Sequence, residues 1–270
     1  MPELPEIETI LRGLGPALVG HRIAAVTVHD HRLRGGVAAG FAGRLTGRRI
    51  EALGRRGKYL LATLDDGWCW LMHLGMSGQL LLGAADGPAR PHDHVHVILD
   101  DGRILVYHDP RRFGRMAVVD RAQLERETGA GIDPLVDDLT AAALFQMTRR
   151  RRTSIKALLM DQRRVAGLGN IYVNEILFRA GVRPRRRAGM LTRAACGRIV
   201  TATHRVLAEA IRRGGSSIAD YRDGFGRAGR FQQRHRVYDR AGLPCRRCGH
   251  PIRTVVIVGR SSFYCARCQR

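Results

Sequence analysis

The spacing of apolar residues changes along the chain and divides it into regions of different predicted structure. Residues 7–14 carry apolar side chains at helical spacing, which predicts a first helix. Short apolar runs separated by turn residues predict strands over most of 22–119. Helical spacing then dominates at about 123–213, and strand-like runs return at 254–264. The pattern therefore predicts a helix, a β-rich region, a helical region and a small C-terminal β-hairpin.

Two hairpins stand out in the strand region because each has a strong turn signal. Residues 58–64 and 68–74 flank an Asp-Asp-Gly turn at 65–67, and the same three residues recur at 100–102 between two further apolar runs. Asp-Gly between apolar runs is typical of tight hairpin turns. Because such hairpins must bury one face, we predict a two-sheet β-sandwich.

A glycine-containing stretch at 129–131 separates the strand region from the helical one. Residues 214–236 lose all periodicity and hold five glycines among arginines, which predicts a mobile lid or a disordered loop. We therefore predict an α+β, multidomain chain. Residues 1–130 form an N-terminal helix and β-sandwich, 131–236 a helical domain with the glycine- and arginine-rich loop, and 237–270 a small hairpin domain.

The composition points to a polyanionic partner. The chain has 270 residues, a formal net charge of +22 and a sequence pI near 11.3, and nucleic acid is the first candidate for such a surface. A membrane is disfavoured because no apolar run is long enough to span a bilayer. The first eight residues carry three Glu and no basic residue, so we predict no signal peptide and a cytoplasmic location.

The basic residues are almost all arginines, and Lys58 and Lys156 are the two lysines of the chain. Arginine holds its proton at every physiological pH, whereas lysine can exchange it. A site that needs proton transfer would keep a lysine in a chain otherwise rich in arginine. Both lysines are therefore candidates for such a role.

The N-terminal sequence Pro-Glu-Leu-Pro-Glu at 2–6 supports two interpretations. Removal of Met1 would give Pro2 a free secondary amine, a nucleophile that can form an iminium with a sugar aldehyde carbon. An α-amino group titrates near pH ~8, so part of it is uncharged at neutral pH. Glu3 lies beside that amine and can donate or accept a proton. The alternative is a plain helix start, because Pro and Glu both favour the first helical turn.

Four of the six cysteines lie in the last 26 residues, as two C-x2-C pairs separated by sixteen residues. This spacing is a strong signal for a tetrahedral zinc site, and disulfides are disfavoured in a cytoplasmic chain. Four thiolates leave no open coordination position, so the zinc is predicted to be structural. We predict one ion held by Cys245, Cys248, Cys265 and Cys268. Arg260 would project from the hairpin turn between the two pairs.

A glycine-rich sequence at 166–170 lies between two predicted helices, the first at about 154–162. Asn170 is a good N-cap for the second helix, and the glycines would let a phosphate approach its N-terminus. A simple packing joint between two helices explains the spacing equally well. Four consecutive arginines at 149–152 favour phosphate binding.

Two predicted turns carry side chains that suit contact with a distorted duplex. One is Gly-Met-Ser-Gly at 75–78, and the other is Asp-Pro-Arg-Arg-Phe-Gly at 109–114. Wedges of Met or Phe can enter a base step and fill the space left by a flipped base. For Met76 or Phe113 taken alone, ordinary core packing is the stronger interpretation.

Three histidines alternate along a predicted strand, His92, His94 and His96, and would share one face. A second metal site is conceivable there. No cysteine lies nearby and no carboxylate shares that face, so a hydrogen-bonded or phosphate-contacting histidine is favoured.

Together, in this order, these motifs resemble the bacterial formamidopyrimidine-DNA glycosylases. The resemblance runs from end to end and includes residues 2–6, 56–60, 73–78, 92–95, 109–114, 167–172 and the four-cysteine finger. It implies a β-sandwich, a helix-two-turns-helix module and a zinc finger, with damaged double-stranded DNA in the cleft between domains. It further implies a monomeric, nucleoid-associated bacterial repair enzyme. The implied activity is excision of 8-oxoguanine and formamidopyrimidines, followed by strand cleavage through β,δ-elimination.

The resemblance also implies roles for individual residues. Pro2 corresponds to the Schiff-base nucleophile, Glu3 to the acid that assists sugar-ring opening, and Glu6 to a supporting carboxylate. Lys58 corresponds to the proton donor of β-elimination and Arg260 to that of δ-elimination. The implied DNA-binding residues are the void-filling trio of Met76, Arg111 and Phe113, with Arg111 facing the orphaned base, and also His92, Arg151, Lys156, Asn170 and Arg260. The loop at 214–236 corresponds to one that closes over the extruded base.

Some features depart from the family or leave alternatives open. Ile132 stands where the family usually has Pro, which affects only a linker turn. The loop at 214–236 is rich in arginine, so its base contacts are not carried over. The start Glu-Leu-Pro, rather than the Glu-Gly-Pro of the related endonuclease VIII branch, favours purine over pyrimidine lesions. The rival from another class is a non-catalytic zinc-finger nucleic-acid binder, which leaves the acidic N-terminus unexplained.

Overall fold

The structure is a computed structural model that describes residues 2–83, 90–129 and 131–270. The first half of the chain contains α1 (Leu4–Leu18), β1 (Ile23–Val28), α2 (Phe41–Leu45), β2 (Ile50–Arg56), β3 (Tyr59–Leu64), β4 (Cys69–His73), β5 (Gln79–Gly83), β6 (Asp93–Leu99), β7 (Ile104–His108), β8 (Arg115–Val119) and α3 (Arg121–Thr128). The second half contains α4 (Ala141–Thr148), α5 (Ile155–Met160), α6 (Asn170–Ala180), α7 (Arg193–Arg212), β9 (Ile252–Ile257) and β10 (Arg260–Cys265), with short 3-10 helices at Ala188–Met190 and Phe231–Arg234.

The elements form two compact units. Unit 1 comprises Met1–Thr128 and Arg213–Arg230, and unit 2 comprises Gly129–Arg212 and Phe231–Arg270. The glycine- and arginine-rich loop, which the sequence places within the helical region, is thus built mostly into unit 1. The hairpin of β9 and β10 belongs to the same unit as the helices.

Unit 1 is built on two antiparallel sheets, with strand orders β2-β3-β4-β8 and β1-β6-β7-β5. The predicted hairpin turn at 65–67 is present, since the Leu64 N–H donates to the Trp68 carbonyl over 2.9 Å and Gly67 adopts a φ of +81°. Both sheets and the apolar face of α1 contribute to one buried core, in which Trp70 and Tyr107 are the largest side chains. This core fixes the ends of the strands, where the functional turns lie.

Unit 2 consists of helices and one small hairpin. Helices α4, α6 and α7 pack together, and β9 pairs antiparallel with β10 against α6. The architecture of the two units confirms the predicted α+β fold with a two-sheet N-terminal part, a helical module and a four-cysteine hairpin. No helix in the described part of the chain combines the length and the hydropathy that a membrane crossing requires.

Candidate active site

The start of α1 carries a buried acidic cluster. Pro2 is buried, and Glu3 and Glu6 are only 3 % and 1 % exposed. The Glu6 carboxylate accepts the Glu3 backbone N–H at Oε2 over 2.8 Å and the Ser216 backbone N–H at Oε1 over 2.7 Å. Glu6 therefore joins the first helical turn to the glycine-rich loop. Met1 lies outside the described residues, so its removal stays a prediction.

The helix-start interpretation is also correct, and it is compatible with the chemical one. Glu3 is the N-cap residue of α1 in an extended conformation, and Pro5 lies in the first turn. A capping-box geometry fixes the backbone of residues 2–6 because two otherwise unpaired donors of the helix end find acceptors.

Lys58 lies on the β2–β3 turn, where it is 8 % exposed. The turn is held to α1 by Arg55, whose Nε donates to Glu8 Oε2 over 3.0 Å and whose Nη1 donates to the Gly57 carbonyl over 3.1 Å. A buried ion pair therefore ties the predicted proton donor to the helix that begins beside Pro2.

His73, at the end of β4, is a neutral histidine next to this lysine. Burial first, and then the positive charges of Lys58 and Arg34, lower the pKa of His73 to about 4. Its Nδ1 accepts the Gly75 N–H over 3.1 Å, which places the ring proton on Nε2. His73 therefore offers a hydrogen-bond donor without adding positive charge at neutral pH.

The two predicted turns carry side chains that are not part of the core. Phe113 is 43 % exposed and Met76 is half-buried. The Arg111 guanidinium lies 4.8 Å from the centre of the Phe113 ring. The exposure of Phe113 disfavours the core-packing alternative for that residue and leaves its ring available for contact with a base.

The histidine strand does not form a metal site in the described residues. His92 is exposed and has a φ of +73°, and His94 is buried with Nε2 donating to the Asp109 carbonyl over 2.8 Å. The His96 ring contacts the His29 ring edge to face. A β-bulge between Asp93 and Val95 disturbs the simple alternation, so the three rings do not share one face.

The glycine-rich turn of unit 2 connects α5 and α6 as predicted, with a different cap. Gly169, not Asn170, is the N-cap of α6, and Asn170 is its first residue, half-buried. Gln162 stabilises the turn, accepting the Gly167 N–H over 2.9 Å and donating to the Leu168 carbonyl over 2.7 Å. The Asn170 side chain is therefore not needed as a cap. Arg151 is exposed upstream of α5.

Lys156 does not lie where a DNA-binding residue is expected, because its side chain is fully buried. Its Nζ donates to the Ser261 carbonyl over 2.9 Å and to Ser262 Oγ over 2.7 Å. The positive charge suggested contact with phosphate, whereas the fold uses it to fasten the β9–β10 hairpin to α5. Arg260, directly before Ser261, is exposed as predicted.

The four cysteines come together at the base of the hairpin. All four Sγ atoms lie within 4.8 Å of one another, with 4.0 Å between Cys245 and Cys268 and 3.5 Å between Cys248 and Cys265. Zinc–sulfur bonds of about 2.3 Å in a tetrahedron place sulfur atoms about 3.8 Å apart, so the set fits zinc. Burial and the neighbouring thiols raise the pKa of Cys268 to about 12, a penalty that a bound dication removes.

Comparison with known proteins agrees with this geometry. Family models match the formamidopyrimidine-DNA glycosylase N-terminal domain at residues 1–116, its H2TH domain at 130–222, and the zinc finger found in FPG and IleRS at 242–270. A formamidopyrimidine-DNA glycosylase of Chloroflexus aggregans is 46% identical over 271 residues, covering 100% of this chain and 98% of the relative. The chain belongs to the formamidopyrimidine-DNA glycosylase family.

Solved structures of the family have the same fold. The MutM (Fpg) protein of Thermus thermophilus is 40% identical with a TM-score of 0.88, covering 99% of this chain and 98% of that one. A Lactococcus lactis Fpg in complex with a Fapy-dG containing DNA is 32% identical with a TM-score of 0.90, covering 99% and 100%. A formamidopyrimidine-DNA glycosylase is an enzyme, so the non-catalytic binder is no longer the competing interpretation.

Glu175 and Asp109 are buried charges in this glycosylase chain whose roles the sequence did not predict. Glu175 on α6 is fully buried and accepts backbone N–H groups of residues 236–238 over 2.9–3.0 Å, while Arg179 Nη1 donates to it over 2.6 Å. Asp109, the first residue of the 109–114 turn, is fully buried. A carboxylate among apolar helix residues was a visible signal for Glu175. For Asp109, the motif was visible but its burial was not.

Proposed function

We propose that this chain is a bifunctional DNA glycosylase and abasic-site lyase that excises 8-oxoguanine and formamidopyrimidines from duplex DNA in base excision repair. The observation that carries the proposal is the buried Pro2–Glu3–Glu6 cluster, an acidic site in a chain of net charge +22. Carboxylates weaken DNA binding and are retained where chemistry needs them. Solved relatives from Lactococcus lactis are complexes with Fapy-dG DNA and with abasic-site DNA, the same class of substrate.

The proposed first step joins Pro2 to the damaged nucleotide. The Pro2 nitrogen attacks C1′, the bond from C1′ to the base breaks, and its electron pair leaves with the base, which takes up a proton. Glu3 protonates the sugar-ring oxygen as the ring opens, which gives an iminium between the nitrogen and C1′. Glu6 supports this step without reacting, because both of its oxygens already accept backbone N–H groups.

Two eliminations then cleave the strand. In the first elimination, solvent water takes a proton from C2′ and the 3′ phosphate leaves C3′ with the electron pair of the C3′–O bond. In the second, solvent water takes a proton from C4′ and the 5′ phosphate leaves C5′ with the electron pair of the C5′–O bond. We propose Lys58 as the proton donor of the first elimination and Arg260 as that of the second. Lys58 is supported by its fixed turn next to α1. Arg260 is supported by the family motif and by its exposure on the hairpin turn.

DNA binding is proposed to divide between wedge and phosphate contacts. Met76, Arg111 and Phe113 would fill the stack vacated by the flipped nucleotide, and the exposure of Phe113 supports this role. His92, Arg151, Asn170 and Arg260 would contact the DNA backbone. Lys156 would act indirectly by fastening the hairpin turn that carries Arg260.

The proposed division of labour follows the predicted segments. Residues 1–130 carry the nucleophile and the proton donor of the first elimination, and 131–236 bind phosphate and cover the extruded base. Residues 237–270 hold zinc, contact DNA and carry Arg260. We propose that the protein acts as a monomer on damaged double-stranded DNA in the bacterial cytoplasm, associated with the nucleoid. The net charge of +22 supports a polyanionic partner of this kind.

Borohydride trapping tests the nucleophile. With a duplex that contains 8-oxoguanine, reduction of the iminium should give a stable protein–DNA adduct that peptide mapping places on residue 2. A variant that keeps one extra, uncleaved N-terminal residue converts the amine to an amide without changing a side chain. This variant should bind lesion DNA but neither excise the base nor be trapped.

The two lysines provide the competing assignment. An adduct on Lys58 or Lys156, or full activity in the N-terminally blocked variant, would overturn Pro2 as nucleophile. Lys156 is the weaker competitor, because its Nζ is buried and already donates to two oxygens of the hairpin.

A further inference from the structure

Asp109 lies buried where the Met76 turn (75–78) and the Arg111–Phe113 turn (109–114) meet. Its side chain is fully buried and accepts four hydrogen bonds. Oδ1 accepts from Ser77 Oγ over 2.6 Å and from the Arg111 N–H over 3.3 Å. Oδ2 accepts from Tyr107 Oη over 3.0 Å and from the Gly114 N–H over 2.8 Å. One carboxylate therefore bonds both to the turn of Met76 and to the turn of Arg111 and Phe113.

The backbone of Asp109 extends the same network. Its N–H donates to the His92 carbonyl over 3.0 Å, and its own carbonyl accepts from the Arg112 N–H over 3.2 Å and from His94 Nε2 over 2.8 Å. His92 and the wedge residues are thus tied to one position of the chain. Most of these donors lie within five residues of Asp109 or on β6, whereas Ser77 comes from 32 positions away.

Only a carboxylate satisfies this arrangement. Each oxygen faces one backbone N–H, from Arg111 on one side and Gly114 on the other, and a backbone donor cannot turn away. Asparagine has the same shape but presents an NH2 group to one of these N–H groups in either orientation. A buried donor without an acceptor is strongly unfavourable.

The two turns are also in direct contact. A Cβ added to Gly75 would overlap the backbone carbonyl of Phe113, and one added to Gly114 would overlap Tyr107 Oη. Gly75 has a φ of +60°, which favours glycine for conformational reasons as well. The turns therefore touch backbone to backbone, and the hydrogen bonds of Asp109 fix how they touch.

We propose that Asp109 is a positioning residue that makes the Met76 turn and the Arg111–Phe113 turn into one rigid wedge, so that their side chains enter the duplex together. This inference rests on the proposed void-filling role of Met76 and Phe113. Ser77 is the link through which the Met76 turn is aligned, because its hydroxyl is the side-chain bond from that turn to Asp109. A rigid pair loses less conformational freedom on insertion than two independent loops.

The test uses two matched variants that each remove one hydroxyl donor from Asp109. Ser77→Ala removes the donor that belongs to the Met76 turn, and Tyr107→Phe removes the donor that belongs to β7. Each is combined with Met76→Ala, and kcat/KM for excision of 8-oxoguanine from a duplex is measured. Lyase activity on a single-stranded abasic oligonucleotide serves as the second measurement, because it needs no void filling.

We expect Met76→Ala to lower duplex excision about tenfold in the otherwise unchanged protein and in Tyr107→Phe, but less than about twofold in Ser77→Ala, a coupling typical of residues in one network. Single-stranded lyase activity should be retained in Ser77→Ala, whereas a folding defect would lower both activities. In Asp109→Asn protein, neither Met76→Ala nor Phe113→Ala should lower duplex excision further.

A tenfold effect of Met76→Ala that persists unchanged in Ser77→Ala would overturn the positioning role while leaving the void-filling role intact. If neither Met76→Ala nor Phe113→Ala affects duplex excision in the otherwise unchanged protein, the void-filling role itself is wrong, and the positioning role of Asp109 falls with it. The two failures are therefore distinguishable.

Discussion

The wedge turns of unit 1 and the finger of unit 2 hold functional side chains by different physical means. The turns are attached to a large core formed by α1 and both sheets, and the buried carboxylate of Asp109 fixes the positions of the two turns. The core cluster of the finger has only five buried residues, of which Phe178 belongs to α6 and two others are the zinc ligands Cys245 and Cys265. So small an element cannot bury enough apolar surface to fold on its own, so metal and buried charges must replace the missing core.

Buried charge also serves different ends in the two regions. In unit 2, Lys156 and Glu175 fasten the finger and its leading segment to α5 and α6. In unit 1, Asp109 and Glu6 shape turns that the core already supports. The comparison teaches that loss of one interaction should dismantle the finger, whereas in unit 1 it should misplace individual side chains.

The largest expected effect is therefore loss of zinc. Cys265→Ser should remove the metal and unfold the hairpin, because zinc binding contributes about 10 kcal/mol or more to folding of such modules. Duplex binding should fall sharply while the two sheets of unit 1 stay folded. Metal analysis, a binding titration and the sheet signal in circular dichroism measure these three outcomes.

Cys196→Ser is the matched control, since Cys196 is a buried thiol on α7 outside the finger. It should keep one zinc per chain and most of its DNA affinity. A Cys265→Ser protein that binds duplex as well as the control does would show that the finger folds without its metal, and the contrast between the two regions would be wrong.

An intermediate effect is expected from His73 in unit 1. Its pKa is about 4 in the folded chain, against an ordinary 6.5, so above pH 6.5 neither state is protonated and His73 adds no pH dependence. Between pH 6.5 and 4 the unfolded chain takes up a proton that the folded chain refuses, and stability falls by about 3 kcal/mol. His73→Asn keeps an acceptor near the Gly75 N–H and removes this slope.

The measurement is the free energy of unfolding from pH 7 to 4 in parent and variant. Other histidines whose pKa is lowered by burial, such as the half-buried His96 and the buried His235, remain in both proteins, so the difference isolates His73. The variant should lose less stability on acidification than the parent does. Equal slopes in parent and His73→Asn would mean that His73 is not held neutral by burial.

The features that the sequence predicted well are set by residues close together in the chain. The Asp-Asp-Gly turns and the four-cysteine spacing were readable because each signal lies within a few residues. Lys156 was predicted to contact DNA because its charge is visible in the sequence, whereas the two serines that its Nζ bonds lie 105 and 106 positions away. The cap of α6 fell on Gly169 rather than Asn170 because Gln162 stabilises the turn. The difference at Lys156 was decided by burial against distant residues, and the difference at the α6 cap by a side chain within the turn itself.

The smallest expected effect comes from Phe113→Ala, which distinguishes filling of the vacated base stack from binding to phosphate. Phe113→Ala should lower excision from a lesion duplex about tenfold, equal to about 1.4 kcal/mol, because the ring no longer compensates the unstacked base step. Non-specific duplex binding should change little, since it depends mainly on phosphate charge. Phe145→Ala is the matched control, because it also removes a ring stacked on an arginine, 3.9 Å from Arg149, but on helix α4. Equal losses of excision and non-specific binding in Phe113→Ala would assign Phe113 to packing, and unit 1 would then hold no wedge at that turn.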